Sequence, residues 1–311
     1  MAKKNLQLFA SGDNNNQAVR SYSKQFKELL QAVFGVQAYF GDFFAGGLEA
    51  IDGITQKDKA FSVKTSDVAC VITTGTLTGD SPDPAYDTGA NVGFGTGTGK
   101  SSRFGQRTEV VYVDTDVDYA WDWVIHEGID RHTVNADFDD AVADRLDLQA
   151  QEKVGVFNAK HGAFISAAAG KTVTKSGLTE ANVIAAFNEL HKYYVDIGAK
   201  GTPVAKVTPD VNNIIVDSDL ATTAKGSTVN IDREEVTMFK GFVIEEIPSS
   251  LFQTNEYVYA YIPNIGKAFT GIETTRTIES EDFDGVALQG AGKAGEWVSN
   301  DNKAAIAKMV F

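Results

Sequence analysis

One cysteine, six prolines and four histidines are all that 311 residues contain of the side chains that staple, stiffen or ligate. With Cys70 alone, neither an intrachain disulfide nor a cysteine-rich metal site can form. His126, His132, His161 and His191 are scattered along the chain and share no metal-binding spacing, so no metal or other cofactor is expected. No run of eighteen apolar residues exists, which excludes a spanning helix, and the N-terminus lacks a secretory signal core. The expectation is a protein made and folded in a cytoplasm, with no membrane partner. Positive charge is also short: 28 Lys and Arg stand against 42 Asp and Glu, for a net charge of −14. That disfavours gripping nucleic acid through a basic surface, but not enclosing it. The 43% hydrophobic and 23% charged fractions are those of an ordinary soluble globular protein, with length enough for a real core. Few prolines beside 29 glycines suit long strands and loops.

The longest regular stretch runs from Asn135 to Ala169. Phe138, Val142, Leu146, Ala150 and Val154 recur every four residues, and Phe157, Phe164 and Ala168 carry the stripe onward. Asn135 is placed to cap the N-terminus. Asp137, Asp139 and Asp140 fill the first turns, and Lys153, Lys160 and His161 the later half, as the helix dipole favours. Gly170 supplies the stop. This predicts one helix roughly 50 Å long; Gly155 leaves open two shorter helices broken there.

Ahead of it, residues 1–17 are polar apart from Leu6, Leu8 and Phe9, and 19–44 hold Tyr22, Phe26, Phe34, Tyr39, Phe40, Phe43 and Phe44. That much ring area needs a partner surface, in its own chain or in a neighbour's. Residues 54–124 read as a two-stranded excursion. On its return leg Val111, Val113, Thr115, Val117, Tyr119, Trp121 and Trp123 alternate with Asp114, Asp116, Asp118 and Asp122. The outward leg has Phe61 and Val63, then Val68, Cys70 and Ile72 after a change of phase that suggests a bulge. Between the legs, residues 75–107 are rich in Gly, Thr and Asp. An isolated ribbon is marginal in water, so something outside the chain is expected to hold it.

After the long helix, a second is predicted over 178–197, with Thr179 as N-cap, a stripe of Val183, Phe187, Leu190, Tyr194 and Ile197, and Gly198 at the end. Strands are expected at 213–216, 241–247 and 257–262, with a short helix at 220–225. These suggest a compact α/β unit from 178 to 265. The tail returns to strand patterns at 267–278 and 303–311.

Four fragments imitate chemistry and fail at a required position. Gly93-Phe94-Gly95-Thr96-Gly97-Thr98-Gly99-Lys100-Ser101 resembles a phosphate loop, but Phe94 stands where its first glycine belongs and no apolar strand leads into it. Asp114-Thr115-Asp116-Val117-Asp118 opens like a calcium loop, with Tyr119 in place of glycine and Ile125 in place of the bidentate glutamate. His126-Glu127 begins like a zinc-protease helix, with Asp130 where the second histidine should be. No serine sits in a nucleophile elbow, and Cys70 lies inside a strand pattern. No catalytic site is expected, and the chain reads as a non-enzyme.

The order of parts resembles the major capsid protein of tailed bacteriophages, the Hong Kong 97-like fold. The resemblance covers nearly the whole chain as an order of elements. Leu6-Gln7-Leu8-Phe9-Ala10 after Lys3-Lys4 is similar to the opening of many structural proteins from phages of Gram-positive hosts. Met238-Phe239-Lys240-Gly241-Phe242-Val243-Ile244-Glu245-Glu246-Ile247-Pro248 resembles the axial-domain segment in which a glycine turn leads into a strand ending near proline. The resemblance implies an α+β chain with an N-terminal arm (1–53), a long β-hairpin E-loop (54–124), a peripheral domain with spine helix (125–177), an axial α/β domain (178–265) and return strands of the peripheral domain (266–311).

It also implies a virion shell subunit, made and assembled in the host bacterial cytoplasm. Pentamers and hexamers would self-assemble into an icosahedral head enclosing double-stranded DNA without sequence-specific binding. Because the arm begins near Met1, a separate scaffolding protein or none is expected, with a portal as a further partner. Phe34, Phe40, Phe43 and Phe44, with Gly93, Gly95, Gly97, Gly99, Lys100, Arg103 and Arg107 in the stretch 89–107, are the expected intersubunit contacts. Two alternatives remain open. One is an encapsulin-like protein compartment; the other is a β-rich carbohydrate- or surface-binding module using Tyr119, Trp121 and Trp123 as a stacking platform.

Overall fold

In the computed structural model of the protein, the described residues are 37–50, 59–66, 110–134, 138–218, 228–230 and 235–311. They divide between two compact units: residues up to Ala50 together with Ala120–Phe311, and Ile51–Tyr119.

The long helix is single. α1 (Phe138–Ala168, 31 residues) passes through Gly155 without a break and is about 46 Å long at 1.5 Å per residue. One glycine costs a helix only about 1 kcal/mol, which the rest of the helix outweighs. Its buried positions among the described side chains all lie in the second half: Phe157, Asn158, His161, Gly162, Ile165, Ser166 and Ala168. The apolar periodicity was therefore an incomplete guide, because the deepest stripe carries three polar side chains and leaves Phe164 half-buried. His161, expected to serve the helix dipole, is part of that stripe. Asn135 and Asp137 lie outside the described residues.

A seven-stranded sheet forms the second structural centre. Its spatial order is β5 (Lys171–Thr174), β13 (Ile306–Val310), β10 (Glu256–Tyr261), β6 (Val204–Val207), β9 (Phe242–Glu246), β8 (Glu235–Phe239) and β7 (Thr228–Asn230). Side chains alternate between its faces, and both faces are buried. Ala205, Val207, Val258, Ala260, Ala307 and Met309 point into one core with α2 (Glu180–Asp196) and α3 (Pro209–Asp217). Val204, Tyr259, Tyr261 and Ile306 point into a second core with α1 and the segment from Phe40 to Phe44.

α2 matches its prediction except at its end: the Thr179 hydroxyl accepts from Asn182 N, Val183, Phe187, Leu190 and Tyr194 are buried, and Gly198 turns the chain at φ +63°, but Ile197, expected on the buried stripe, follows the last helical residue and is exposed. The two-residue turn Lys240-Gly241, with both φ positive, joins β8 to β9. Residues 213–216, expected as a strand, belong instead to α3. Thr208 caps that helix, Pro209 presets its first turn and Asp210 favours its N-terminus, so the capping signal overrides the β-branched run Ile214-Ile215-Val216. The helix expected at 220–225 lies outside the described residues.

A four-stranded sheet has the order β1 (Phe44–Ala50), β11 (Gly266–Glu279), β12 (Gly285–Val298) and β4 (Trp121–Asp130). The tail thus divides: β11 and β12 form a long hairpin here, whereas β13, expected to return with them, fills the space between β5 and β10. The alternation at 111–123 also divides. β3 (Tyr112–Asp118) ends before Tyr119, and β4 begins at Trp121 in the four-stranded sheet. Period two continues through the break, so periodicity alone could not reveal it.

The other unit, by its described residues, is an antiparallel ribbon of β2 (Lys59–Ser66) and β3. The pairing agrees with the expected two-stranded excursion. Its register shift falls between Lys59 and Phe61, while Val68, Cys70 and Ile72 lie outside the described residues.

Candidate functional site

For a chain read as a shell subunit, the functional parts are the surfaces and fastenings that hold copies in shape. The segment before β1 is fastened at three places. Asn158 on α1 accepts from Tyr39 N at 3.1 Å and donates to Gln37 O at 2.7 Å. Asp42 accepts from the Tyr261 hydroxyl at 3.0 Å and lies 3.1 Å from the Lys206 ammonium. Phe40, Phe43 and Phe44 are buried, with Phe43 edge-on to both Phe44 and Tyr261 at 4.9 Å.

This corrects the expectation of Phe40, Phe43 and Phe44 as intersubunit contacts. Rings with at most 2% of their surface exposed have almost none left for a neighbour, and these three complete their own chain's core. Phe34, Gly93, Gly95, Gly97, Gly99, Lys100, Arg103 and Arg107 lie outside the described residues.

Two buried ionic groups join the layers. Lys206 is almost fully buried and answers both Asp42 and Glu245. Glu256 lies 2.6 Å from Lys308 and accepts from Tyr259 Oη at 2.6 Å and Ser166 Oγ at 2.9 Å. Burial pushes the Glu256 carboxyl upward, but hydrogen bonds from Lys308, Tyr259 and Ser166 outweigh it and hold the group below the usual carboxylate range. Burial also drives the Tyr194 and Tyr261 phenols above their ordinary range.

Between α1 and the four-stranded sheet, Glu296 is met by His161 Nδ1 at 2.9 Å and accepts from Trp121 Nε1 at 3.3 Å. The sequence reading missed this cluster. The signal was present as Asn158, His161 and Ser166 at helical spacing among Phe157, Gly162 and Ile165, but a charged partner on a distant strand cannot be read from one helix.

Trp121 packs edge-on against Phe157 at 4.8 Å, and the Lys153 ammonium sits 4.1 Å from the centre of the Trp123 ring. Gly292 lets the Trp123 ring lie against β12, where a Cβ would come within 2.7 Å of it. A sugar-stacking platform needs an open ring face; helix side chains cover these two. The aspartates imitating a calcium loop form the polar edge of the ribbon, where Asp116 pairs with Lys59 and accepts from Ser62 Oγ at 2.5 Å, and Asp114 lies 3.6 Å from Lys64. The Asp116 carboxyl is lowered by its hydrogen bonds to Lys59 and Ser62. His126-Glu127 stands on β4, not a helix, and Glu127 is held bidentately by Arg145. Among the described residues no group of three potential ligands is placed to hold a metal ion.

No protein-family model and no curated protein matches the sequence. Solved structures do match. The mature capsid of bacteriophage PhiM1 aligns over 89% of this chain and 87% of its own, with 12% identity and a TM-score of 0.60. The capsid of cyanophage P-SCSP1u aligns over 90% and 94%, with 9% identity and a TM-score of 0.60. The chain has the Hong Kong 97-like capsid fold. The capsid of Ralstonia phage GP4 agrees, with a TM-score of 0.54 and 10% identity over 89% of this chain and 92% of that one. At such identities the capsid fold is shared while almost every side chain differs. The fastenings at Asn158, Asp42 and Glu296 are therefore described for this chain alone.

Proposed function

We propose that the chain is a phage major capsid protein: a structural, non-enzymatic subunit that self-assembles through pentamers and hexamers into an icosahedral head enclosing double-stranded DNA. The observation that carries this reading is the match of some nine-tenths of the chain, at a TM-score of 0.60, to subunits of phage capsids. The surface supports it. On the ribbon, Val110, Val111, Tyr112 and Val113 are 40–65% exposed, an apolar run that a lone subunit leaves in water and an assembly can cover. A net charge of −14 limits adhesion of packaged DNA to the wall.

Phe34 and the stretch 89–107 remain our proposed intersubunit contacts. A scaffolding protein and a portal are the proposed accessory partners, the virion the location, and the host bacterial cytoplasm the place of synthesis and assembly. A Gram-positive host rests on the segment from Leu6 to Ala10 alone; the fold is common to phages as different as a cyanophage and a Ralstonia phage and does not narrow the host.

The test is negative-stain microscopy with light scattering on the protein expressed alone and beside the products of its neighbouring genes. Closed shells or five- and six-membered rings are expected. Shells that fill with a protein cargo would favour the encapsulin-like alternative. A monodisperse monomer under every condition would overturn the proposal.

A further inference from the structure

The outer face of the four-stranded sheet carries a polar row whose arginine has no acidic partner among the described residues. His126 on β4, Gln289 on β12 and Arg276 on β11 are in register across three strands. Arg276 Nε donates to Gln289 Oε1 at 2.8 Å, and Gln289 Nε2 lies 3.3 Å from His126 Nε2. This ladder holds the guanidinium in place while its remaining donors face solvent, and no carboxylate among the described side chains pairs with Arg276. The row borders a shallow concavity of about 300 Å³ whose other walls include Val124 and Ala291. Val124 is 75% exposed, the most open of the large apolar side chains described.

The turn joining β11 to β12 is the complement. Four of the six residues from Glu279 to Asp284 are acidic. Two of them are engaged: Glu279 lies 2.7 Å from Arg131, and Asp284 lies 3.7 Å from Arg131 and 3.5 Å from His132. The Phe283 ring folds back over Gly128, where a Cβ would come within 2.6 Å of it, and Ser280 N donates to Gly285 O. The tip is thus fixed from beneath. Glu281 and Asp282 stay exposed and form no ion pair among the described residues.

We infer that this acidic tip docks on the Arg276–His126 concavity of a second copy of the chain. The inference rests on the shell-subunit reading, which makes other copies the commonest partner. Charge complementarity selects the pairing: on a chain of net charge −14, the guanidinium of Arg276, held in place by Gln289, meets a two-carboxylate turn. Every copy carries both halves, and the two do not pair within one copy. A contact of that kind runs head to tail, and head-to-tail contacts close into rings when the rotation between copies allows it. Val124 at the centre supplies apolar burial, and the charges at its rim fix the register.

The test is charge reversal with rescue. Arg276→Glu, the pair Glu281→Arg with Asp282→Arg, and all three together are expressed, and the protein concentration at which shells form is read by light scattering and microscopy. Near-ultraviolet circular dichroism of the unassembled subunits checks that each variant folds. Each reversal alone should raise that concentration about tenfold or more, and the combination should return it close to the starting value. Insensitivity of assembly to the tip reversal, or failure of the combination to rescue folded subunits, would overturn the inference while wild-type shells left the capsid reading standing. Normal shells from Arg276→Glu that bind DNA less would assign the row to phosphates and overturn it too. Absence of shells from the wild type would overturn both.

Discussion

Replacing Phe43 by alanine separates two accounts of the aromatic segment. The ring has no exposed surface, meets Phe44 and Tyr261 edge-on at 4.9 Å and stands 6.4 Å from Phe164. A Cβ at Gly266 would come within 2.4 Å of it, so the backbone of β11 also packs against this ring. Truncating a fully buried phenylalanine costs about 3–5 kcal/mol. The lost edge-on pairs, worth about 0.5–1.5 kcal/mol each, favour the middle of that range or above. Taking about 4 kcal/mol and about 2–4 °C per kcal/mol for a large domain, the melting temperature should fall by about 8–16 °C. Phe43→Leu keeps part of the apolar volume but loses both edge-on pairs, so it should cost less than the alanine change, about 1–3 kcal/mol. The assay is thermal unfolding of the subunit at concentrations too low for assembly. An intrachain ring costs stability there. An intersubunit ring would leave the lone subunit unchanged and weaken only assembly, and that result would refute the core assignment.

Two glycines of α1 should respond with opposite signs. A Cβ at Gly155 meets nothing within 4 Å, so Gly155→Ala should stabilise by up to about 1 kcal/mol, whereas at Gly162 it would stand 2.4 Å from the Leu251 carbonyl oxygen and Gly162→Ala should cost about 1–3 kcal/mol; urea titration reads both. Because the folded-state pKa of Glu256 is lowered, its contribution is complete above the ordinary carboxylate range and is lost as pH falls through that range and below it. Urea midpoints at neutral and acid pH should therefore converge in Glu256→Gln relative to the parent; an unchanged difference would contradict the linkage. Asn158→Ala removes both hydrogen bonds to the segment at Gln37 and Tyr39, and limited proteolysis should cut there several times faster while stability to urea falls by about 1–3 kcal/mol.

Much of the fold was legible because its signals are local. Thr179, Gly198 and the four-residue stripe define α2 in sequence as in space, and the aspartates of β3 mark a strand's polar edge. Pairing between distant segments was not legible. Nothing in Ile306-Ala307-Lys308-Met309-Val310 distinguishes a place beside β10 from one beside β12. The rings of Phe40, Phe43 and Phe44 show the same limit: an apolar side chain needs cover, and its chemistry does not say whose. Arg276 and Gln289 are thirteen residues apart and become neighbours only through hairpin register. The acidic tip was visible as composition but gained meaning only once Arg131 was found to hold two of its four carboxylates.

The position of β13 also sets a timetable for synthesis. It lies between β5 and β10, two strands that the ribosome makes some eighty residues apart and that do not pair with each other. Until residues 306–310 emerge, β5 has no partner in the sheet and one edge of β10 stands open to water. An emerging chain can form helix α2 and pair β6 with β9 early, yet its seven-stranded sheet stays open between β5 and β10 until β13 is made. A chain interrupted before that point carries an open edge on β10 where one that includes β13 has a continuous sheet, so interrupted synthesis leaves a structurally different form with strand groups free to pair wrongly.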